Sequence, residues 1–304
     1  MAETLNLVNP KDTLSCGYEI SQFPDGQQSV RIIEKNYDTF YRLKEQITPI
    51  TIKSRLNTFR DLELIICANQ ALKEIGVKSV KLFIPYCIGG RSDRKFQDGG
   101  VNYIKNVIAP ILNLQNFDEV KIMDPHSDVL EACIKNFVKS NNFKLGLMAL
   151  RDIGGGEDIM KNVCLVSPDA GAYKKIFDFA SWYGIKEIVT ASKVRDLDTG
   201  KILKTVVPSL SSHSNMTYII VDDICDGGRT FIEVAKAIKE EKPDAKIYLI
   251  VTHGIFSQGF DLLVQHLDGV YTTNSVQDIQ DGTIVDTFSK HKTIHSFVKQ
   301  LNIF

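Results

Sequence analysis

Short apolar runs that end in polar, glycine-bearing turns recur along this chain, and the stretches between them carry apolar residues at helical spacing. Residues 80–86, 119–123, 163–166, 188–191, 218–221 and 246–251 read as strands of this kind. The run 218–221 is β-branched and short, so it suits a strand buried on both faces, as in an open α/β sheet. Leu62, Leu64, Ile65, Ala68, Ala71, Leu72 and Ile75 predict a helix over 58–75 with one core-facing stripe. Residues 102–114 and 231–239 predict two more, and Phe23-Pro24-Asp25-Gly26 predicts a turn entering a strand at 29–33. The polar turns fall at the carboxyl ends of their strands, where open α/β sheets bind ligands.

Gly154-Gly155-Gly156 is the sharpest break in composition and divides the chain into two expected domains, 1–150 and 151–304. A short echo, Val120–Asp124 with Asp128 against Ile219–Asp223 with Asp226, suggests related α/β units in tandem. At 304 residues, 43% hydrophobic and 24% charged, each half can bury a core without metal or disulfide.

Thirty-six basic and 37 acidic residues leave a formal charge of -1, so no global field draws the chain to nucleic acid or anionic lipid. Anionic small molecules must be held by local clusters. Cys16, Cys67, Cys87, Cys133, Cys164 and Cys225 form no CxxC pair and read as reduced thiols. With no basic-then-apolar leader and no apolar run of membrane length, a cytoplasmic location is expected.

The densest chemistry lies at 218–231, YIIVDDICDGGRTF. Asp222 and Asp223 end an apolar run. The turn Asp226-Gly227-Gly228-Arg229-Thr230 opens a helix, so its amides can approach phosphate. Paired carboxylates repel phosphate and suit sugar hydroxyls or a divalent cation, and a phosphorylated ribose offers hydroxyls and phosphate together. Arg91, Asp93, Arg94 and Lys95 follow another strand, as either an anion site or a solvated loop. His126 sits between Asp124 and Asp128 and can hold a metal or a metal-bound phosphate. Lys193 and Arg195, one residue apart in an extended segment before the polar loop 196–200, share a side and can clamp phosphates; the bland alternative is a solvated hairpin tip.

VDDICDGGRT resembles the ribose-phosphate motif shared by type I phosphoribosyltransferases and ribose-phosphate diphosphokinases (PRPP synthetases). FPDG, IPY with RSDRK, DPH, SPDAG, KVR and THGIFS then follow the diphosphokinase order across most of the chain. The resemblance implies an α/β fold of two tandem phosphoribosyltransferase-like domains, each a mainly parallel sheet flanked by helices, with the last helix packing back on the first domain. It implies transfer of a diphosphoryl group from MgATP to ribose 5-phosphate, with Mg²⁺ as cofactor and a homo-oligomer, dimer or higher, as the working form. By motif, Phe23, Asp25 and Gln27 line the adenine site across a subunit contact, and Arg91, Asp93, Arg94 and Lys95 belong to the ATP loop. His126 and Asp169 hold Mg²⁺ and ATP phosphates, and Lys193 and Arg195 are catalytic. Asp222 and Asp223 take ribose hydroxyls, and Asp226, Gly227, Gly228, Arg229 and Thr230 cradle the 5-phosphate.

Departures fall inside these sites. Ser92 stands where the family has Gln, Pro125 replaces Leu, and Gln27 replaces Glu. The phosphate loop, usually DTGGT or DTAGT, reads DGGRT, losing a hydroxyl at Gly227 and gaining a cation at Arg229. Residues 38–60 show little likeness to the family. Two alternatives therefore stand beside the first reading: the same chemistry on a 5-substituted ribose phosphate such as ADP-ribose, and an inactive regulatory homologue.

Overall fold

The computed structural model describes residues 3–9, 17–33, 49–154, 161–195, 202–208, 210, 216–280, 283–284 and 292–304. Cys16, Gly155, Gly156 and residues 196–200 lie outside them, as do the side chains of Lys193 and Arg195. The chain forms two compact units, Met1–Asn141 with Phe304, and Asn142–Ile303.

In the first unit, β1 (Thr4–Asn6) precedes an antiparallel hairpin of β2 (Tyr18–Gln22) and β3 (Gln28–Ile32). Next come β4 (Ile50–Lys53), α1 (Phe59–Glu74) and β5 (Val80–Phe83). A π-helical turn, Ile104–Ile108, leads into α2 (Ala109–Leu114), followed by β6 (Glu119–Met123), α3 (Val129–Cys133) and β7 (Phe137–Ser140). The sheet is parallel, in the order β1-β4-β5-β6-β7.

Helix α1 starts where a capping box places it: the Thr58 hydroxyl accepts from the Asp61 amide while the Asp61 carboxylate accepts from Thr58. Its stripe of Leu62, Ile65, Ala68 and Leu72 is buried against Ile50, Ile52 and Leu82 of the sheet. The expected helix over 102–114 is broken in register. Pro110 has no N–H and crowds the carbonyl four residues back, and Ala109 instead donates to the Ile104 carbonyl, widening the preceding turn.

The second unit runs α4 (Phe143–Gly154), β8 (Val163–Ser167), α5 (Tyr173–Tyr183), β9 (Glu187–Thr190), β10 (Ser192–Arg195) and β11 (Ile202–Val206). It continues through β12 (Thr217–Cys225), α6 (Arg229–Glu241), β13 (Lys246–Gly254) and β14 (Gly269–Thr273). The short strands β15 (Thr283–Ile284) and β16 (Lys292–Thr293), then α7 (Ile294–Phe297) and β17 (Val298–Leu301), complete it. Its main sheet is parallel, ordered β17-β14-β13-β12-β8-β9.

Alternation along β12 accounts for its unbroken apolar run. Ile219 and Val221 join a core with Phe179 and Ala180 of α5, while Tyr218 and Ile220 join another with Val234, Ala235 and Ile238 of α6. Phe297 of the last helix is buried in that second core. Among the described residues no helix is long and apolar enough to cross a membrane. The free thiols of Cys87, Cys164 and Cys225 are buried, and burial pushes each up to about 12, so they do not act as nucleophiles.

Candidate active site

Strand order places the centre of the site. From β8 the chain steps outward to β9, then returns to β12 on the other side of β8 and proceeds to β13 and β14. The order reverses between β8 and β12, and a ligand crevice of an open α/β sheet opens outside the carboxyl ends at such a point. Asp169 follows β8, and Asp222 and Asp223 lie near the end of β12.

Asp222 and Asp223 were expected at the carboxyl edge of a strand ending at Val221. The strand instead runs through them, because β12 keeps parallel pairing with β13 as far as Cys225 and Gly254. A buried carboxylate needs a partner, and Asp223, 4% exposed, has one: Lys175 Nζ of α5 stands 3.2 Å from its Oδ2. Asp222 Oδ1 accepts from the Asp223 amide at 2.8 Å. Burial first, then the Asp223 charge, and less strongly that of Asp169, hold the Asp222 carboxyl well above the usual carboxylate range. The cluster thus carries more acid than Lys175 balances and favours a ligand that donates hydrogen bonds or brings a cation.

The turn beyond β12 has the form a phosphate needs. Gly228 precedes α6 with φ +78°, and no side chain caps the helix, whose first-turn amides are the groups that bind an anion. A β-carbon at Gly228 would lie 2.9 Å from Leu263 Cδ2 and would hold a left-handed conformation. We expect Gly228→Ala to cost about 2 kcal/mol and lower Tm by roughly 5 °C, with a thermal melt as the check. The residues after β13 brace the turn: Ser257 Oγ donates to Asp226 Oδ1 at 2.6 Å, and the Ser257 amide to the Asp226 carbonyl at 3.2 Å.

Asp169 Oδ1 accepts from the amides of Gly171 and Ala172, turning the chain into α5. Lys193 and Arg195, expected in an extended segment, occur in β10, paired antiparallel with β11 in a separate two-stranded ribbon; Lys193 lies opposite Thr205. That pairing carries the segment as a strand.

The first unit holds a cavity of 590 Å³ lined by Arg91, Ser92, Asp93, Arg94, Phe96 and His126. Gly89, at φ +72°, allows the turn into it, and a β-carbon there would strike the Tyr103 ring. The Arg94 guanidinium lies 5.6 Å from the centre of the Phe96 ring. Lys95 is exposed beside this wall. Phe23, Asp25 and Gln27 form the exposed tip of the β2–β3 hairpin, closed by a hydrogen bond from Gly26 N to Phe23 O.

The family model described as Phosphoribosyl synthetase-associated domain matches residues 202–298. Ribose-phosphate pyrophosphokinases, the diphosphokinases under another name, align along nearly the whole chain. That of Thermosipho africanus is 27% identical over 275 residues, 89% of this chain and 81% of its own. That of Pyrococcus abyssi is 26% identical over 284 residues, 90% and 89%. The crystal structure of phosphoribosylpyrophosphate synthetase from Mycobacterium smegmatis superposes with a TM-score of 0.69 at 17% identity, covering 96% of this chain and 87% of that one. The chain is similar to ribose-phosphate pyrophosphokinases along most of its length.

Within this pyrophosphokinase relative, Asp169, Asp222, Asp223 and the turn Asp226–Thr230 all belong to the second unit, and Arg91, Asp93, Arg94 and His126 to the first. Phe96, Lys175 and Gln258 were not singled out in the sequence, and Ser257 stood there only as the last residue of THGIFS, with no role. An aromatic directly after RSDRK was the available signal for Phe96; Lys175 and Gln258 are brought in by tertiary packing and carry none.

Proposed function

We propose that the chain transfers the β,γ-diphosphoryl group of ATP to the anomeric hydroxyl of ribose 5-phosphate, giving PRPP and AMP for nucleotide and NAD synthesis in the cytoplasm. The observation that carries this is the meeting, at the β8–β12 reversal, of paired carboxylates with an uncapped glycine turn. Hydroxyls suit the first and a phosphate the second. Asp222 and Asp223 accept from the ribose hydroxyls, and the amides of 226–230 hold the 5-phosphate. Arg91, Asp93, Arg94, Lys95 and His126 hold the ATP phosphates, while Phe23, Asp25 and Gln27 reach the adenine from a neighbouring subunit of a homo-oligomer. The anomeric oxygen attacks the β-phosphorus in line; that O–P bond forms, the bond from the β-phosphorus to the bridging oxygen breaks, and AMP leaves. Lys193 and Arg195 stabilise the charge that shifts during transfer.

Mg²⁺ takes oxygen ligands, uses one or two carboxylates and fills its other positions with water and phosphate oxygens. Among the described residues no group of three or more His, Cys, Asp or Glu side chains is arranged to hold a metal by itself. Asp169 offers oxygen of the right kind beside Asp222 and would hold the ion together with phosphate oxygens, and His126 is the candidate ligand of the first unit. The ion, when bound, offsets charge on the diphosphoryl group.

A second reading follows from Arg229, exposed at the first position of α6. A guanidinium there can pair with a longer 5-substituent, so ADP-ribose would also serve as acceptor. Phosphorus NMR of reactions with MgATP and each acceptor tests both readings. The first expects diphosphate signals on C1 of ribose 5-phosphate; the second expects the same with ADP-ribose, lost preferentially in Arg229→Gly. Absence of product with ADP-ribose would remove the second reading alone.

A further inference from the structure

We propose that Gln258 is a specificity-determining residue of the 5-phosphate turn, taking the place that a side chain at position 227 would otherwise fill and offering its amide to a phosphate oxygen of the C5-phosphorylated sugar. The proposal rests on the ribose-phosphate reading of that turn. A β-carbon built on Gly227 would come within 3.2 Å of Gln258 Cγ and 3.8 Å of Ser257 Oγ. The segment after β13 therefore occupies the space that a threonine at 227 would claim, which gives a physical reason for glycine there.

The backbone around Gln258 is held on both sides. Ile255 and Phe256 amides donate to the Cys225 carbonyl, Ser257 donates to Asp226 by amide and hydroxyl, and Gly259 donates back to Phe256 at φ +66°. The exposed Gln258 carboxamide has no hydrogen-bond partner among the described residues. Ser257 engages one oxygen of Asp226, whose charge opposes an incoming phosphate, and the neighbouring amide supplies a neutral donor where the hydroxyl of the family pattern is missing. Positions 227 and 258 are thus coupled: a larger residue at 227 needs the Gln258 side chain to shift.

Calorimetric binding of ribose 5-phosphate to the full chain, measured without turnover for the native protein, Gln258→Ala, Gln258→Glu, Gly227→Thr and Gly227→Thr/Gln258→Ala, tests this. Losing one hydrogen bond to a charged ligand predicts a Kd about tenfold higher in Gln258→Ala, with ATP affinity unchanged. Gln258→Glu, which sets a carboxylate against the phosphate, should weaken binding further. Gly227→Thr alone should bind poorly for want of room, and the double variant should return to within about threefold of native, a non-additive result. Native affinity in both Gln258 variants, or additive losses in the double variant, would overturn the proposal. Failure of the native chain to bind ribose 5-phosphate would overturn the ribose-phosphate reading itself, and it shows before any substitution is made.

Discussion

Lys193→Ala is expected to lower kcat by about 10²-fold or more, roughly 3 kcal/mol of transition-state stabilisation, while leaving the affinities for ATP and ribose 5-phosphate within about threefold. Diphosphoryl transfer asks little covalent chemistry of a protein, so a cation matched to the migrating charge acts on the barrier more than on the ground state. Lys193 and Arg195 lie two positions apart on β10, with a shift of register against β11 between Val194 and Arg195. The ribbon is separate from the main sheet, so the substitution removes no pairing of the strands that carry the aspartates. Steady-state kinetics beside equilibrium binding distinguishes the two effects. An unchanged kcat would leave the β10–β11 ribbon a solvated surface feature.

Asp222→Asn should weaken ribose 5-phosphate binding by about 10- to 100-fold, since a carboxyl oxygen that would accept from the ribose hydroxyls is replaced by an amide NH2, and it should also stabilise the ligand-free protein. Burial and Asp223 raise the Asp222 carboxyl above its ordinary 3.8. Between 3.8 and the raised native value the folded chain keeps a proton that the unfolded chain has released. Stability contributed there falls as pH rises, and above the native value the full penalty of a buried charge remains. Asn carries no such penalty, so the gain in Tm should grow from pH 5 to pH 8. Asp223→Asn differs: it leaves the Lys175 ammonium, 27% exposed, without its carboxylate, and should cost about 2 kcal/mol. Melts at several pH values, with calorimetry at one, test the pair. Equal melting behaviour of the two variants would contradict the assigned roles.

Local signals in the chain reached far into the fold. Thr58, Asp61 and the stripe behind them mark the ends and the buried face of α1 to within a residue. The parallel character of β12 follows from its apolar run, because both faces of that strand are covered. Its length does not follow, since Asp222, Asp223, Thr252 and His253 look like loop residues until a partner is supplied. Lys175 supplies one for Asp223, and Ser275 Oγ supplies one for His253 Nδ1 at 2.9 Å. The widened turn before α2 was legible in principle from Pro110, whose missing N–H breaks a regular helix. The brace of Ser257 on the turn at Asp226 was not legible, because it depends on β12 and β13 lying side by side with their ends in register. The strand reversal at β8 and β12 is likewise a property of topology that no single segment encodes.

Nucleotide analysis of a single reaction tests the central claim most directly. Incubation of the full chain with ATP, Mg²⁺ and ribose 5-phosphate should yield AMP in step with consumption of the sugar phosphate, because transfer of the β,γ-diphosphoryl group leaves only the α-phosphate on the nucleoside. Formation of ADP instead, or loss of ATP independent of the sugar, would contradict it.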